Sequence, residues 1–185
     1  MSVLNNKPQM FLISFPSNFW YPEVVETWKP MVKRMKLPYE TVDDFMNQQI
    51  QQVTFPATNL DLAMQQRGQY EIAYATGKEL EPEIGKTLNI TFKLTESYLS
   101  YWIVWHQVDT YLHYANDALK REKAPIYMEP IKLSFLTDAG LEMISFRFEQ
   151  IIPTNVSELS LSYAATVASY NTFSWNLRYN FFDVD

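Results

Sequence analysis

The chain has 185 residues, 47% of them hydrophobic and 16% aromatic, enough apolar material for one well-packed core and too much for disorder along its length. Charged residues are 19%, below the roughly 25% usual in soluble domains, and the formal charge of −6 argues against an electrostatic grip on nucleic acid. There is no cysteine, which excludes disulfides and thiolate metal sites.

The first ten residues, MSVLNNKPQM, lack the basic-then-apolar order of a signal peptide. No apolar stretch reaches membrane-spanning length, the most apolar being 98–108. The expectation is a protein made and folded in a cytoplasm.

Gln9 to Pro16 reads as a first strand. The next segment, 17–46, contains Pro22, Pro30 and Pro38 and is less strand-like. Val24, Trp28, Met31 and Met35 fall on one helix face, with Pro30 expected to kink or divide the helix. Thr41-x-x-Asp44 resembles a capping box ahead of Val42, Phe45 and Met46. The segment 17–49 therefore reads as a helical insertion within a single 1–185 domain. Gln48, Gln49, Gln51 and Gln52 beside it are expected to be exposed and available to a neighbouring subunit.

Strand signals resume at Gln51–Pro56, then at Leu60, Leu62 and Met64, and again at Gln69–Tyr74. Thr76 to Gly85 is a polar loop containing Gly77, Lys78, Glu79, Glu81 and Glu83. Its three glutamates imitate a calcium or acid-pair site, but Pro82 among them favours a solvated loop. Leu88, Ile90, Phe92 and Leu94 then alternate on one face of a strand.

The period changes in Ser97–Asn116, where Tyr98, Tyr101, Trp105, Val108 and Leu112 share a helical face expected to pack on a sheet. A charged link follows at 118–123. Pro130–Leu136 and Leu141–Ile151 are expected to pair as a hairpin across Thr137–Gly140. Phe146–Ile152 alternates until Pro153, Thr154 and Asn155, which are expected to halt it in a turn. Glu158–Tyr163 alternates again. Phe173, Trp175, Leu177, Tyr179 and Phe181 make a last aromatic strand.

Chemistry is sparse. His106 and His113 are the only histidines, with Asp109 between them, and they lie roughly 10 Å apart along a helix, too far to share one metal ion. No Gly-x-Ser-x-Gly elbow, P-loop or dinucleotide fingerprint exists among four glycines. Lys29, Lys33, Arg34 and Lys36 form a small basic cluster diluted by Glu23 and Glu26, better read as a solvated helix face. The residues point to no enzyme, no cofactor and no metal.

The C-terminal third resembles the tail tube proteins of contractile-tailed bacteriophages, related to the tube proteins of type VI secretion. The resemblance rests on Pro153, Thr154, Asn155, Val156, Glu158 and Leu159, followed by Thr172, Phe173, Trp175 and Leu177. It implies a mainly β (α+β) barrel or sandwich tube fold with one flanking helix. It also implies hexameric rings stacked into a tube, contacts with sheath and baseplate proteins, and passage of DNA without specific binding. Its location would be the virion tail, assembled in the host cytoplasm. By position, 76–85 corresponds to the loop that contacts the next ring. The 17–46 segment departs from the minimal tube subunit and leaves open a baseplate or tail-end ring, or a non-phage injection tube. A β-barrel ligand-binding module is the alternative of a different class.

Overall fold

A computed structural model describes residues 11–35, 39–54, 62–67, 70–75, 86–116, 127–137, 139–159 and 171–184, with 62–67 and 70–75 described as backbone alone. The fold is mainly β, with two four-stranded antiparallel sheets, a separate hairpin and three α-helices among these residues. The first sheet has the order β1 (Phe11–Ser14), β6 (Ile131–Leu136), β7 (Glu142–Glu149), β10 (Phe181–Val184). The second has the order β2 (Ile50–Thr54), β5 (Thr87–Lys93), β9 (Thr172–Arg178), β8 (Ile152–Val156). β3 (Leu62–Arg67) and β4 (Tyr70–Ala75) pair with each other.

Alternation decides which side of each strand is buried. Leu88, Ile90 and Phe92 on β5 face inward beside Leu177, Trp175 and Phe173 of β9, their register partners. Ile131 and Leu133 on β6 and Phe148 on β7 do the same in the first sheet. Both inner rows enter one hydrophobic cluster with Phe15, Phe19 and Trp20, which follow β1. Trp20 stacks on Trp175 with ring centroids 6.0 Å apart. Fully burying one such aromatic side chain contributes up to about 3 kcal/mol or more.

Two tight corners carry the chain directly from one sheet to the other and join the layers. β7 ends at Glu149 and β8 begins at Ile152, with Gln150 at φ 53 between them. β9 ends at Arg178 and β10 begins at Phe181. The two corners bond to each other: Asn180 Nδ2 donates to Gln150 Oε1 at 3.0 Å, and Asn180 N donates to Glu149 O at 3.2 Å. Strands that switch sheets at such bends are a normal way of closing a sandwich or barrel.

Several expectations are corrected here. The break falls at Gln150, not at Pro153–Asn155. Pro153, Thr154, Asn155 and Val156 lie within β8, an edge strand with a bulge between Pro153 and Asn155. A proline lacking an N–H is tolerated at an edge or bulge, so it does not stop this strand. Phe181 leaves the β9 row because the chain turns at Asn180, and it sits exposed on β10.

The helices fill the space between β1 and β2 and the flank after β5. Helix α1 (Pro22–Val32) runs on through Pro30, and Val24 and Val32 are its buried residues. Met31 points to solvent, so Val32 takes the place expected for Met31. Helix α2 (Val42–Gln49) starts at Thr41, whose hydroxyl accepts from Asp44 N at 3.1 Å, the capping bond expected of that pair. Gln49 is buried, not exposed; its amide donates to Phe45 O at 3.3 Å. Gln48, Gln51 and Gln52 are exposed.

Helix α3 (Leu99–Asn116) buries Leu99, Ser100, Ile103, Val104, Gln107 and Thr110. The expected aromatic face is buried only in part: Tyr101 and Val108 pack against the core. Trp105 and Leu112 are exposed, together with Trp102. The hairpin β6–β7 turns as expected across Thr137–Gly140. Gly140 adopts φ +76 there, where an L side chain is strained.

Candidate assembly surface

The outward face of β2–β5–β9–β8 follows from the register. Residues between the buried positions pair across the strands: Gln52 with Thr91, Thr91 with Ser174, Thr54 with Asn89, and Asn89 with Asn176. β8 continues the last row with Asn155 opposite Asn176. These side chains bond to one another. Asn89 Nδ2 donates to Asn176 Oδ1, Thr91 Oγ1 and Ser174 Oγ lie 3.3 Å apart, and Thr154 Oγ1 donates to Asn176 O at 2.9 Å. Cross-strand pairs of this kind each contribute a few tenths to about 1 kcal/mol. The cations on the face, Lys93 and Arg178, lie at opposite ends of β5 and β9.

The outward face of the first sheet has another character. Lys132 Nζ lies 2.9 Å from Glu142 Oε1, and Ser134 Oγ donates to Glu142 Oε2 at 3.0 Å. The Lys132 and Ser134 bonds hold the Glu142 carboxyl below its ordinary range. Arg147 sits opposite both Lys132 and Asp183. Leu12 and Phe181 are exposed on the two edge strands, and Leu141 and Met143 at the hairpin end.

The segment before α1 and α1 itself are tied along α3. Gln107, fully buried, accepts from Tyr21 N at 3.0 Å and donates to Phe19 O at 2.9 Å. Trp28 Nε1 donates to His106 Nδ1 at 3.1 Å, and Tyr114 Oη donates to Glu23 Oε1 at 3.0 Å. Tyr21 and Tyr114 rings meet at 5.1 Å. Burial, with Tyr111 and Tyr114 nearby, pushes the Tyr21 hydroxyl up to about 12.

The residues singled out in the sequence fall into separate places. Phe173, Trp175 and Leu177 are inner-face core residues of β9. Glu158 is exposed and Leu159 half-buried beyond β8. The 76–85 loop with Thr76, Gly77, Lys78, Glu79, Glu81, Glu83 and Gly85, the 118–123 link and the run from Ser160 to Tyr163 lie outside the described residues, as does Lys36 of the basic cluster. His113 Nε2 lies 3.6 Å from Asp109 Oδ2, both exposed, while His106 is engaged by Trp28. Among the described residues no group of three metal-ligating side chains converges. Gln107 and the polar rows of β5 and β9 were not singled out from sequence. The only signal of those rows is an amide or hydroxyl at every second position, and Gln107 carries no periodic signal.

No family model and no curated protein matches the sequence. Solved structures do match it. A chain of the anti-feeding prophage baseplate, determined by cryo-electron microscopy with six-fold symmetrisation, superposes with a TM-score of 0.54 at 12% identity, over 96% of this chain and 93% of that one. This is a tail-tube fold. A chain of the sheath/tube terminator of the extracellular contractile injection system PVC, in its extended state, gives 0.47 at 11% identity over 100% of this chain and 96% of that one. The crystal structure of an Hcp protein gives 0.42 at 9% identity over 95% and 97%. In the tail-tube fold of this chain the core draws on both sheets, on Phe15, Phe19 and Trp20, and on all three helices. No helix among the described residues is long and apolar enough to cross a membrane.

Proposed function

We infer that this chain is a ring-forming structural subunit of a contractile tail or injection tube, with a building role and not a catalytic one. The observation that carries this reading is the tail-tube fold matched across nearly the full length of a baseplate chain. Strand topology supports it. Every neighbouring pair in β2–β5–β9–β8 is antiparallel, so the edge strands β2 and β8 run in opposite directions. A rotated copy can therefore lay its β2 beside β8 and continue the antiparallel order, and closure of the ring removes the open edges.

Six copies would carry their four-stranded sheets around a circumference of about 115 Å, or about 37 Å across at the backbone, for strands about 4.8 Å apart. Such a channel is several times wider than an α-helix of about 10–12 Å. In this reading the rings are hexameric, stack on one another, contact sheath and baseplate proteins, and serve in a virion tail as a conduit for the genome.

A baseplate or terminal ring is a second reading of the same building role, because the chain matched at a TM-score of 0.54 belongs to a baseplate. Negative-stain electron microscopy across a concentration series tests the reading. Rings or short stacks with a central hole support it. Monomers at every concentration, also when seeded with purified baseplates, overturn it in favour of a ligand-binding barrel.

A further inference from the structure

We propose that the exposed tryptophan stripe of α3 is the apolar centre of the contact between neighbouring copies, and that the next copy covers it with its helix α2. The inference rests on the ring reading above and gives the 17–49 segment a task in it.

Trp102, Trp105 and Leu112 are 41%, 47% and 51% exposed. Spacings of three and then seven residues put them on one stripe of the helix. The two indoles meet edge-on with centroids 6.1 Å apart, so they form one surface. Tryptophan is enriched among the residues that dominate binding energy, and large apolar groups gathered on one exposed face mark a contact. Each indole N–H also needs an acceptor once its ring is covered.

The order of the helices fixes what arrives there. α3 lies on the inner side of the second sheet at its β8 edge: it packs against β8, and the Tyr101 ring meets that of Phe173 on β9 at 5.3 Å. α1 packs against both α3 and α2. α2 ends at Gln49, and β2 begins at Ile50. The helices therefore run α2–α1–α3 from the β2 edge to the β8 edge. A copy rotated about the ring axis keeps its helices on the same side of the sheet as its neighbour does. When its β2 comes beside β8, its α2 comes beside α3. The exposed side of α2 carries Thr41, Asp44 and Gln48, and the last two are acceptors for indole N–H groups.

Edge pairing alone is a small contact. A five-residue strand is about 17 Å long, whereas a stable interface buries about 800 Å² on each partner. The three half-exposed side chains add about 300 Å² of mostly apolar surface beside the paired edges. A polar rim around such a centre is the usual anatomy of an interface.

Two experiments test this. The first is a Trp102→Gln/Trp105→Gln double variant. Both side chains are exposed, so its unfolding midpoint should match that of the unsubstituted chain, while the concentration needed for ring assembly rises at least about tenfold. The second keeps both tryptophans and uses the absence of native cysteine. In a Gln48→Cys/Asp109→Cys protein α1 separates the two thiols within one copy, so a short bis-maleimide joins them only between copies. A ladder of covalent oligomers on a denaturing gel, missing from either single variant, is the expected result. Assembly of the tryptophan variant at the unsubstituted concentration overturns the inference and leaves the ring reading intact. So does absence of the ladder from assembled double-cysteine rings, or a ladder from Asp109→Cys alone, which would set α3 against α3. Absence of rings from the unsubstituted chain overturns the ring reading and this inference together.

Discussion

Trp28 on α1 gives its indole N–H to Nδ1 of His106 on α3, across 78 residues of sequence, at 3.1 Å. The rings meet edge-on with centroids 6.3 Å apart, so the contact combines packing with one directed bond. Trp28→Phe keeps much of the aromatic body and removes the donor. It should lower unfolding stability by about 1 kcal/mol, the usual net worth of such a bond, plus a smaller loss for the reduced ring. Urea denaturation checks this. An unchanged midpoint would show that the bond does not persist in solution.

Gln107 should matter more than its polarity implies. It is buried and closes two main-chain groups, Tyr21 N and Phe19 O, at the entry to α1. Gln107→Leu nearly preserves volume but leaves a buried donor and a buried acceptor without partners. About 2–4 kcal/mol of destabilisation follows from two such groups. Gln107→Glu keeps an acceptor for Tyr21 N and turns an oxygen towards the Phe19 carbonyl, so it should also destabilise. A loss under 0.5 kcal/mol for Gln107→Leu would mean that water or a backbone shift rescues the corner.

This residue also shows where the sequence was legible and where it was not. Strands β5 and β9 could be read because Leu88, Ile90 and Phe92 and Phe173, Trp175 and Leu177 are apolar at every second position and buried together. On α3 the same logic misled. Trp105 and Leu112 belong to the face expected inward, yet both lie outside, and Ser100, Gln107 and Thr110 lie inside. The helix packs against a chain corner with open backbone groups, and that demand for hydrogen bonds has no period. Pro153 reads as a stop in the sequence because an edge position is a property of the whole sheet, not of the local sequence. The polar rows of the second sheet were invisible for a related reason. Asn89 faces Asn176 only once the β5–β9 register is set.

Asp43, in the first turn of α2, gives a dependence on pH. Burial, with Asp44 beside it, raises its carboxyl from 3.8 to about 6, against a backbone hydrogen bond that lowers it. The folded protein then holds this proton more tightly than the unfolded chain between about pH 4 and 6, so stability falls as pH rises through that window. A two-unit rise corresponds to at most about 2.7 kcal/mol, and partial exposure reduces it to about 1 kcal/mol. Asp43→Asn should be neutral at pH 3.5 and stabilising by about 1 kcal/mol at pH 7. Equal effects at both pH values would remove the titration of Asp43 as the cause.

Asn89→Asp separates the monomer from the ring. In a single copy the new carboxylate can still accept from the Asn176 amide, so its unfolding midpoint should move by less than about 0.5 kcal/mol, as for most surface substitutions. In a closed ring the same change places a belt of negative charges around the axis, about 19 Å apart for six copies at a 115 Å circumference. The Debye length is about 30 Å at 0.01 M salt and about 8 Å at 0.15 M. Repulsion between copies should therefore raise the concentration needed for assembly at low salt and fade at physiological salt, while the unsubstituted protein shows less salt dependence. Sedimentation across the two salt conditions measures it. Assembly of Asn89→Asp that is indifferent to salt would mean that these side chains face apart in the particle, away from a shared axis.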